Sequence, residues 1–269
     1  MIHEEAWPQG TPAWIDLMVP DRLAAQAFYG PLFGWSFEVG GPETGFYTMA
    51  LKHGQPVAGL GEPQGGEAAP PAMWTTYIAV DDVDATVRRA ADAGGTVLME
   101  PMGVMEFGRM AVLADPTGAV VGLWQSGAHT GANLVNEPGS LIWNEAVSDD
   151  LAAAQAFYGS VFGYDFADMS GPGFEYAAVS LAGKSAEEAV CGVGASGARP
   201  PGTPPHWRTY FAVADTDATT AKVVELGGQV LDGPSDSPFG RVARVSGPSG
   251  EQFTLMSTTT PESPDTPAG

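Results

Sequence analysis

Apolar and polar residues alternate at the start of the chain in a way that predicts a strand. From residue 14 to 19, aliphatic side chains occupy every second position (Ile15, Leu17, Val19), and residues of mixed character occupy the others (Trp14, Asp16, Met18). A period of two indicates a strand with two different faces. Asp21 can cap a helix that Gly34 ends, and residues 46–60 then predict a hairpin with its turn at 52–55. The unit is a strand, a helix, and two or three strands.

This unit is repeated along the chain. Residues 24–30 and 153–159 both read AAQAFYG, 129 positions apart. Matching stretches also begin at Trp74 and Trp207 and continue to paired glycines at 94–95 and 227–228. Repeats of this length indicate duplicated structural units. We predict two domains of two units each: 10–127 (units 12–63 and 72–127) and 139–258 (units 139–195 and 205–258), with a linker at 128–138 and a disordered tail at 259–269.

Composition narrows the class of protein. The 269 residues are 44% hydrophobic and 16% charged, as in a globular protein, and the net charge of −21 argues against binding to nucleic acid. No apolar run is long enough to cross a membrane, and the first residues do not resemble a signal peptide. A single cysteine, Cys191, excludes an intramolecular disulfide. We therefore expect a cytoplasmic protein that binds neither nucleic acid nor membrane.

The motifs resemble one family. Four motifs occur in this order: FYGPLFGW at 28–35, AVDDVDAT at 79–86, FGR at 107–109 and DPTG at 115–118. Their order resembles that of the vicinal oxygen chelate superfamily, which includes glyoxalases, extradiol dioxygenases and bleomycin-resistance proteins. The tandem form is similar to two-domain actinobacterial members. The resemblance covers residues 12–257 and implies an α+β fold, in which four βαβββ units form two domains with cupped mixed sheets. Each cup could join units one with two and three with four, or units one with four and two with three.

The resemblance also implies where a metal ion would bind. Family members that hold a divalent ion carry His, Gln or Glu at cup-facing positions that correspond here to Trp14, Thr75, Gly122, Trp143, Arg208 and Thr254. Of these, only a threonine hydroxyl could ligate, and then weakly, and the four histidines are scattered. We predict no metal and no other cofactor. A register error of two residues would bring Asp16 or Glu145 toward a ligand position.

The alternation then predicts what each cup displays. Ligand-binding candidates are Trp14, Met18, Thr75 and Tyr77 in cup one and Trp143, Arg208, Tyr210 and Thr254 in cup two, where Val147 also faces inward. Aromatic walls with a few hydrogen-bonding groups suit a flat, partly apolar ligand. The alternative is that Trp14 and Trp143 only fill space.

Two carboxylates are the candidate catalytic residues. Asp16 and Glu145 occupy equivalent positions. A carboxylate beside a tryptophan, in a cup partly shielded from solvent, is expected to have a raised pKa that suits a general acid or base. Arg208 could instead neutralise Glu145 in a structural ion pair. Domain one has Thr75 in place of Arg208, which makes Asp16 the stronger candidate for chemistry. Tyr29 and Tyr158 are interpreted as core residues.

These observations favour a metal-independent protein that binds an aromatic or polycyclic small molecule in a cup, for antibiotic sequestration or as an accessory in natural-product biosynthesis. The alternative is an enzyme. It would be a cofactor-free isomerase, cyclase or hydrolase with a pocket carboxylate as base, or a metal-dependent lyase or dioxygenase. The internal pseudo-twofold predicts a monomer or a weak homodimer.

Overall fold

The computed structural model describes residues 2–63, 71–195 and 203–257. The first domain contains β1 Pro12–Met18, α1 Arg22–Phe33, β2 Ser36–Val39, β3 Thr48–Lys52, β4 Gln55–Gly61, β5 Met73–Ala79, α2 Val83–Asp92, β6 Thr96–Val104, β7 Gly108–Ala114 and β8 Val120–Ser126. The second contains β9 Leu141–Val147, α3 Leu151–Phe162, β10 Asp165–Asp168, β11 Glu175–Ser180, β12 Cys191–Ala195, β13 His206–Ala212, α4 Thr216–Glu225, β14 Gln229–Ser237, β15 Gly240–Ser246 and β16 Gln252–Ser257. The predicted disordered tail, 259–269, lies outside the described residues.

Each helix begins at an aspartate. The carboxylates of Asp21, Asp82, Asp150 and Asp215 each accept a hydrogen bond of 2.9 Å from the backbone N–H three residues later. Such a bond satisfies one of the free donors at a helix N-terminus. The predicted cap at Asp21 and the end of α1 at Gly34, which is left-handed at φ 70°, are confirmed. None of the helices in the described ranges combines the length and hydropathy needed to cross a bilayer.

The strands form two mixed sheets of eight strands each. Their orders are β2-β3-β4-β1-β5-β8-β7-β6 and β10-β11-β12-β9-β13-β16-β15-β14. At the centre β1 runs antiparallel to β5, while β1 with β4 and β5 with β8 are parallel. Each sheet thus joins consecutive units, one with two and three with four, and the predicted α+β fold of four units in two cupped domains is confirmed. Strand β6 is long, from Thr96 to Val104, and its pairing with β7 contains two register shifts.

The hydrophobic cores cross the boundary between the domains. One core combines Ile15 and Phe28 of the first unit with Phe211 and Phe253 of the fourth. The other core combines residues of the second and third units, among them Ile78 and Phe157. Core residues alternate along β5 and β13 with the residues that face the cups. The two sheets therefore pack back to back, and the cups face away from each other.

Two buried tyrosines hold the domains together with hydrogen bonds. Tyr29 donates to Glu251 Oε1 at 2.8 Å, and Tyr158 donates to Asp115 Oδ2 at 2.9 Å, each from a helix of one domain to a turn of the other. Each hydroxyl also accepts from an indole N–H of a central strand, Trp74 Nε1 at 3.2 Å or Trp207 Nε1 at 2.8 Å. We call the two tyrosine–carboxylate pairs the interdomain latches. The tyrosines interpreted as core residues therefore also join the domains.

Removing one latch hydroxyl should destabilise the protein. In Tyr29→Phe, Glu251 Oε1 and the Trp74 indole both lose a buried partner, so we expect the free energy of unfolding to fall by about 1–3 kcal/mol. Urea denaturation would measure it. Tyr158→Phe should give a similar loss, and the two losses should add because the latches share no residue. An unchanged free energy in both variants would contradict a stabilising role for the latches.

Candidate functional site

Cup one holds a buried, hydrogen-bonded cluster around Asp16. Asp16 is 7% exposed, and its Oδ2 accepts from the hydroxyls of Tyr77 at 3.1 Å and Tyr47 at 3.4 Å. The Tyr47 hydroxyl in turn accepts from Trp14 Nε1 at 3.1 Å. The other carboxylate oxygen, Oδ1, is buried and has no hydrogen-bond partner among the described residues. One oxygen of the acid is therefore held in place, while the hydrogen-bonding capacity of the other is unused.

Glycines make room for the tyrosines of this cluster. A Cβ at Gly59 would lie 1.8 Å from the Tyr47 hydroxyl oxygen, and a Cβ at Gly122 would lie 2.2 Å from the Tyr77 ring. Both distances are far shorter than any contact between atoms that are not covalently bonded. The tyrosines can lie across the floor of the cup only because β4 and β8 carry no side chain at these two positions.

Burial sets the protonation of the cluster. It raises the pKa of Asp16 to about 7, although the hydrogen bonds from Tyr77 and Tyr47 act in the opposite direction. Burial and the charge of Asp16 raise the pKa of both tyrosines well above the usual range. Near neutral pH the acid is thus present in both protonation states, while the tyrosines stay protonated and can donate to its carboxylate form.

The segment after β8 covers cup one. The His129 ring meets Trp14 edge to face with centroids 4.4 Å apart, and the His129 carbonyl accepts from Trp124 Nε1 at 2.9 Å. Burial lowers the pKa of His129 to about 4, so that the ring is neutral at pH 7. Its Nε2 is buried and has no hydrogen-bond partner in the part of the chain that the structure describes. His129 was predicted to lie in the linker, with no place in a cup.

Cup two holds an ion pair where cup one holds a lone acid. Arg208 Nη1 lies 2.8 Å from Glu145 Oε1, and the two side chains are 15% and 10% exposed. Trp143 Nε1 donates to the Tyr176 hydroxyl at 2.9 Å, and Tyr176 lies over Gly192 as Tyr47 lies over Gly59. The structural alternative for Glu145, a pair with Arg208, is therefore what the structure shows.

The two cups also differ in exposure. In cup two Trp143, Tyr176, Arg208 and Tyr210 are all half-buried, whereas in cup one Trp14 and Tyr77 are buried. Among the described residues, the aromatic wall of cup two thus keeps exposed ring surface at Trp143 and Tyr210. In cup one only Tyr47 of the aromatic residues is half-buried, and the His129 ring lies against Trp14.

The remaining predicted residues border these clusters. Thr75 is half-buried and pairs with Asp16 in register, while the Met18 sulfur lies 2.7 Å from where a Cβ of Gly61 would be. Thr254 is buried on β16 and pairs with Tyr210. All of the predicted residues thus lie on the cup-facing side of the central strands or beside it. Their roles in binding or catalysis stay predictions.

Three residues of the cups were missed by the sequence analysis: Tyr47, Tyr176 and His129. The two tyrosines carry a signal that was available, because they lie 129 positions apart like Trp14 and Trp143. His129 carries no such signal.

The positions that family metal sites use do not fit a metal ion in this chain. No group of three or more His, Cys, Asp or Glu side chains that could hold an ion occurs within the described ranges. In cup one Trp14 and Gly122 offer no donor atom, and Asp16 Oδ2 is already occupied by two hydroxyl donors. In cup two the carboxylate of Glu145 is paired with Arg208.

Comparison with known proteins agrees with the arrangement of the two cups. Residues 11–123 and 140–255 each match the model of the Glyoxalase/Bleomycin resistance protein/Dioxygenase superfamily. The chain belongs to this superfamily. The two matched segments coincide with the two cupped sheets, so each sheet is one superfamily domain.

Two relatives match along nearly the whole chain. "Putative glyoxylase CFP32" of Mycobacterium bovis is 44% identical over 264 residues, which cover 95% of this chain and 98% of the relative. "Anthracycline biosynthesis protein DnrV" of Streptomyces peucetius is 38% identical over 265 residues, which cover 92% of this chain and 93% of the relative. The tandem arrangement of two superfamily domains is thus shared with proteins of similar length.

Solved structures share the fold at low sequence identity. The Mn(II)-bound glyoxalase of Novosphingobium aromaticivorans superposes with a TM-score of 0.63 at 16% identity, over 93% of this chain and 83% of that one. The 2,2',3-trihydroxybiphenyl 1,2-dioxygenase of Sphingomonas wittichii superposes with a TM-score of 0.62 at 14% identity, over 93% and 91%. Identities this low establish the fold and leave the chemistry open.

Replacing Asp16 should change how stability depends on pH. A buried acid with a raised pKa stabilises the folded state only while it is protonated, so wild type should lose stability relative to Asp16→Asn as the pH rises from 4 to 7. The relative loss should approach about 1.4 kcal/mol per pH unit, because that is the free energy of one unit of pKa shift.

Urea denaturation at pH 4, 5, 6, 7 and 8 would measure this difference. Asp81→Asn, at an exposed position, controls for the removal of one carboxylate from a chain of net charge −21. A difference between wild type and Asp16→Asn that does not vary with pH would contradict a raised pKa at Asp16.

Proposed function

We propose that this protein binds an aromatic or polycyclic small molecule without a metal ion, and that the molecule lies in cup two. The observation that carries the proposal is the half-buried aromatic wall of Trp143, Tyr176 and Tyr210. Planar ligands gain affinity from ring stacking and from the burial of apolar area. We infer a cytoplasmic protein that acts as a monomer or a weak homodimer.

The wall is held in shape before a ligand arrives. The Trp143 indole is fixed by its hydrogen bond to Tyr176, and Tyr176 is seated over Gly192. Arg208 is fixed by Glu145, and the charges of that pair largely cancel. A ligand therefore loses little free energy to ordering side chains. The paired charges favour a neutral ligand with polar substituents at its edge.

The relatives support a role in the chemistry of fused-ring molecules. DnrV of Streptomyces peucetius, 38% identical, and DauV of a Streptomyces species, also 38% identical, both carry the name "Anthracycline biosynthesis protein". By this likeness we propose an accessory role in natural-product biosynthesis, with sequestration of an antibiotic as the other use of the same binding site. The described residues of the two cups do not provide a fitting set of metal ligands, which supports binding through the aromatic wall itself.

Titration with 1,8-dihydroxyanthraquinone, followed by quenching of tryptophan fluorescence, would test this function. We expect saturable binding that is unchanged by EDTA, and about tenfold weaker binding in Tyr210→Leu because a stacking partner and its buried area are lost. Tyr77→Leu, the matching change in cup one, should leave the affinity unaltered. Circular dichroism would verify that both variants are folded.

Three results would contradict the proposal. Binding that needs added Mn²⁺, Fe²⁺, Ni²⁺ or Zn²⁺ would show that the site depends on a metal. Equal weakening by the two substitutions would show that the aromatic wall of cup two does not hold the ligand. No binding to wild type would remove fused-ring aromatics of this class from the proposal.

Asp16 favours a second candidate function, proton transfer in cup one. A carboxylate whose pKa lies at about 7 and whose Oδ1 has no partner is suited to remove or supply a proton near neutral pH. Tyr47 and Tyr77 fix the other oxygen and can stabilise the charge that forms there. This arrangement supports a cofactor-free isomerase, cyclase or hydrolase with Asp16 as its base.

Ring opening of 5-nitrobenzisoxazole would test whether Asp16 acts as a base. In this reaction a base removes the ring C–H proton, the N–O bond breaks, and a coloured phenolate forms. We expect a rate above the buffer background that rises with pH through about 7 and is lost in Asp16→Asn. Glu145→Gln provides the matched control in cup two. A rate that both variants keep would exclude Asp16 as the base for this substrate.

A further inference from the structure

A cavity of about 270 Å³ lies between the two domains, with residues of both in its wall. We call it the seam cavity and define it by Trp7, Thr11 and Pro12 of the first domain and Leu141, Trp143 and Val190 of the second. Its volume is close to the lower end of the range for small-molecule sites, roughly 300–1,000 Å³. Asn136, in the segment that joins the domains, completes the wall in a left-handed backbone conformation at φ 61°.

Two tryptophans form rigid walls of the seam cavity. The Trp7 indole N–H donates to the Ala132 carbonyl at 3.2 Å, and its ring stacks on His3 with centroids 3.9 Å apart. The Trp143 indole N–H is taken by Tyr176 at 2.9 Å. Both N–H groups are therefore satisfied within the protein. What each tryptophan offers to the cavity is apolar ring surface, which suits a flat molecule.

One hydroxyl in the wall has no partner. Thr11 is 7% exposed, and its buried Oγ1 makes no hydrogen bond to any of the described residues. A buried hydroxyl that makes no hydrogen bond is unfavourable, and in native structures such a group usually meets a water molecule or a ligand. No charged side chain occurs among the described residues that line the cavity. The other polar residues in the wall, Asn136 and Asn144, are also uncharged. The polar part of a suitable molecule is thus an uncharged group, and Thr11 is the partner that lacks a hydrogen bond.

We propose that the seam cavity is a second small-molecule site, which shares Trp143 with cup two but not Tyr176, Arg208 or Tyr210, for a neutral molecule of two fused rings with one hydroxyl or carbonyl group. The rings lie against Trp7 and Trp143, and the polar group bonds to the Thr11 hydroxyl. Both domains supply walls, so an occupant stabilises the docked arrangement of the domains and raises the temperature of unfolding.

Calorimetric titration with 2-naphthol would test the site, with 2-naphthoate as a charged probe of the same size. We expect wild type to bind 2-naphthol at least tenfold more tightly than 2-naphthoate, because the carboxylate finds no cationic partner in the cavity. Ala189→Trp, which places a large side chain at the cavity wall, should abolish this binding. Ala182→Trp, at an exposed position of the same connection, is the matched control.

Thr11→Val keeps the shape of the wall and removes only the unpartnered hydroxyl. It should fold normally and bind 2-naphthol about five- to tenfold more weakly, as the loss of one hydrogen bond implies. Tyr210→Leu, the cup-two variant, should bind 2-naphthol like wild type. Weaker binding in Thr11→Val together with unchanged binding in Tyr210→Leu is the pattern expected for a molecule in the seam cavity.

Other outcomes would overturn the proposal. Loss of 2-naphthol binding in Tyr210→Leu with retention in Ala189→Trp would place the molecule in cup two. Equal affinity for the two probes, or full affinity in Thr11→Val, would remove the basis for a neutral ligand held by Thr11. The absence of binding to wild type would show that the cavity does not hold molecules of this class.

Discussion

The packing of each helix against the opposite domain is the constraint on which the rest of the structure depends. One helix per unit cannot cover its half of an eight-stranded sheet, so the apolar backs of the two sheets must bury each other. Tyr29 and Tyr158 fix this packing, because each places a buried hydroxyl between an indole of one central strand and a carboxylate of the other domain. With the backs of the sheets buried, the concave faces are left free for two cups.

The cups have the same scaffold but differ in charge. Register pairs Asp16 with Thr75 in one sheet and Glu145 with Arg208 in the other. In cup one burial raises the pKa of the acid, which pairs with Thr75, while in cup two the acid forms an ion pair with the Arg208 guanidinium. Two differences, one on each central strand, therefore give the two cups different electrostatics. The segment with His129 adds to this difference by covering only cup one among the described residues.

Much of the fold could be predicted because its signals are local. The alternation from Ile15 to Val19, the cap at Asp21 and the repeat of the units fix the strands, the helices and their order. The cup-facing side of each central strand follows from the same alternation. The pairing of units could not be predicted, because the edges of β1 and β9 carry no residue that distinguishes one neighbouring strand from another.

The inner parts of the site depend on contacts that sequence patterns do not reveal. Tyr47 reaches Asp16 only because the hairpin register sets it over Gly59, and a shift of one residue would turn it outward. The bond from Tyr29 to Glu251 joins residues 222 positions apart. His129 lies in a segment whose composition is that of a linker. In each case the determining factor is a tertiary contact between residues that are individually unremarkable in the sequence.

Gly122 also bears on how such a cup can change during evolution. It stands where the superfamily resemblance implies a metal-ligating side chain, and a Cβ there would lie 2.2 Å from the Tyr77 ring. A metal-ligating side chain at position 122 and the tyrosine ring of residue 77 in its present position are therefore mutually exclusive. A chain that passes from a metal-binding cup to this one must lose the side chain at 122 before, or together with, the placement of the tyrosine. If the tyrosine came first, the intermediate protein would carry both side chains, and the two could not pack together in the floor of the cup.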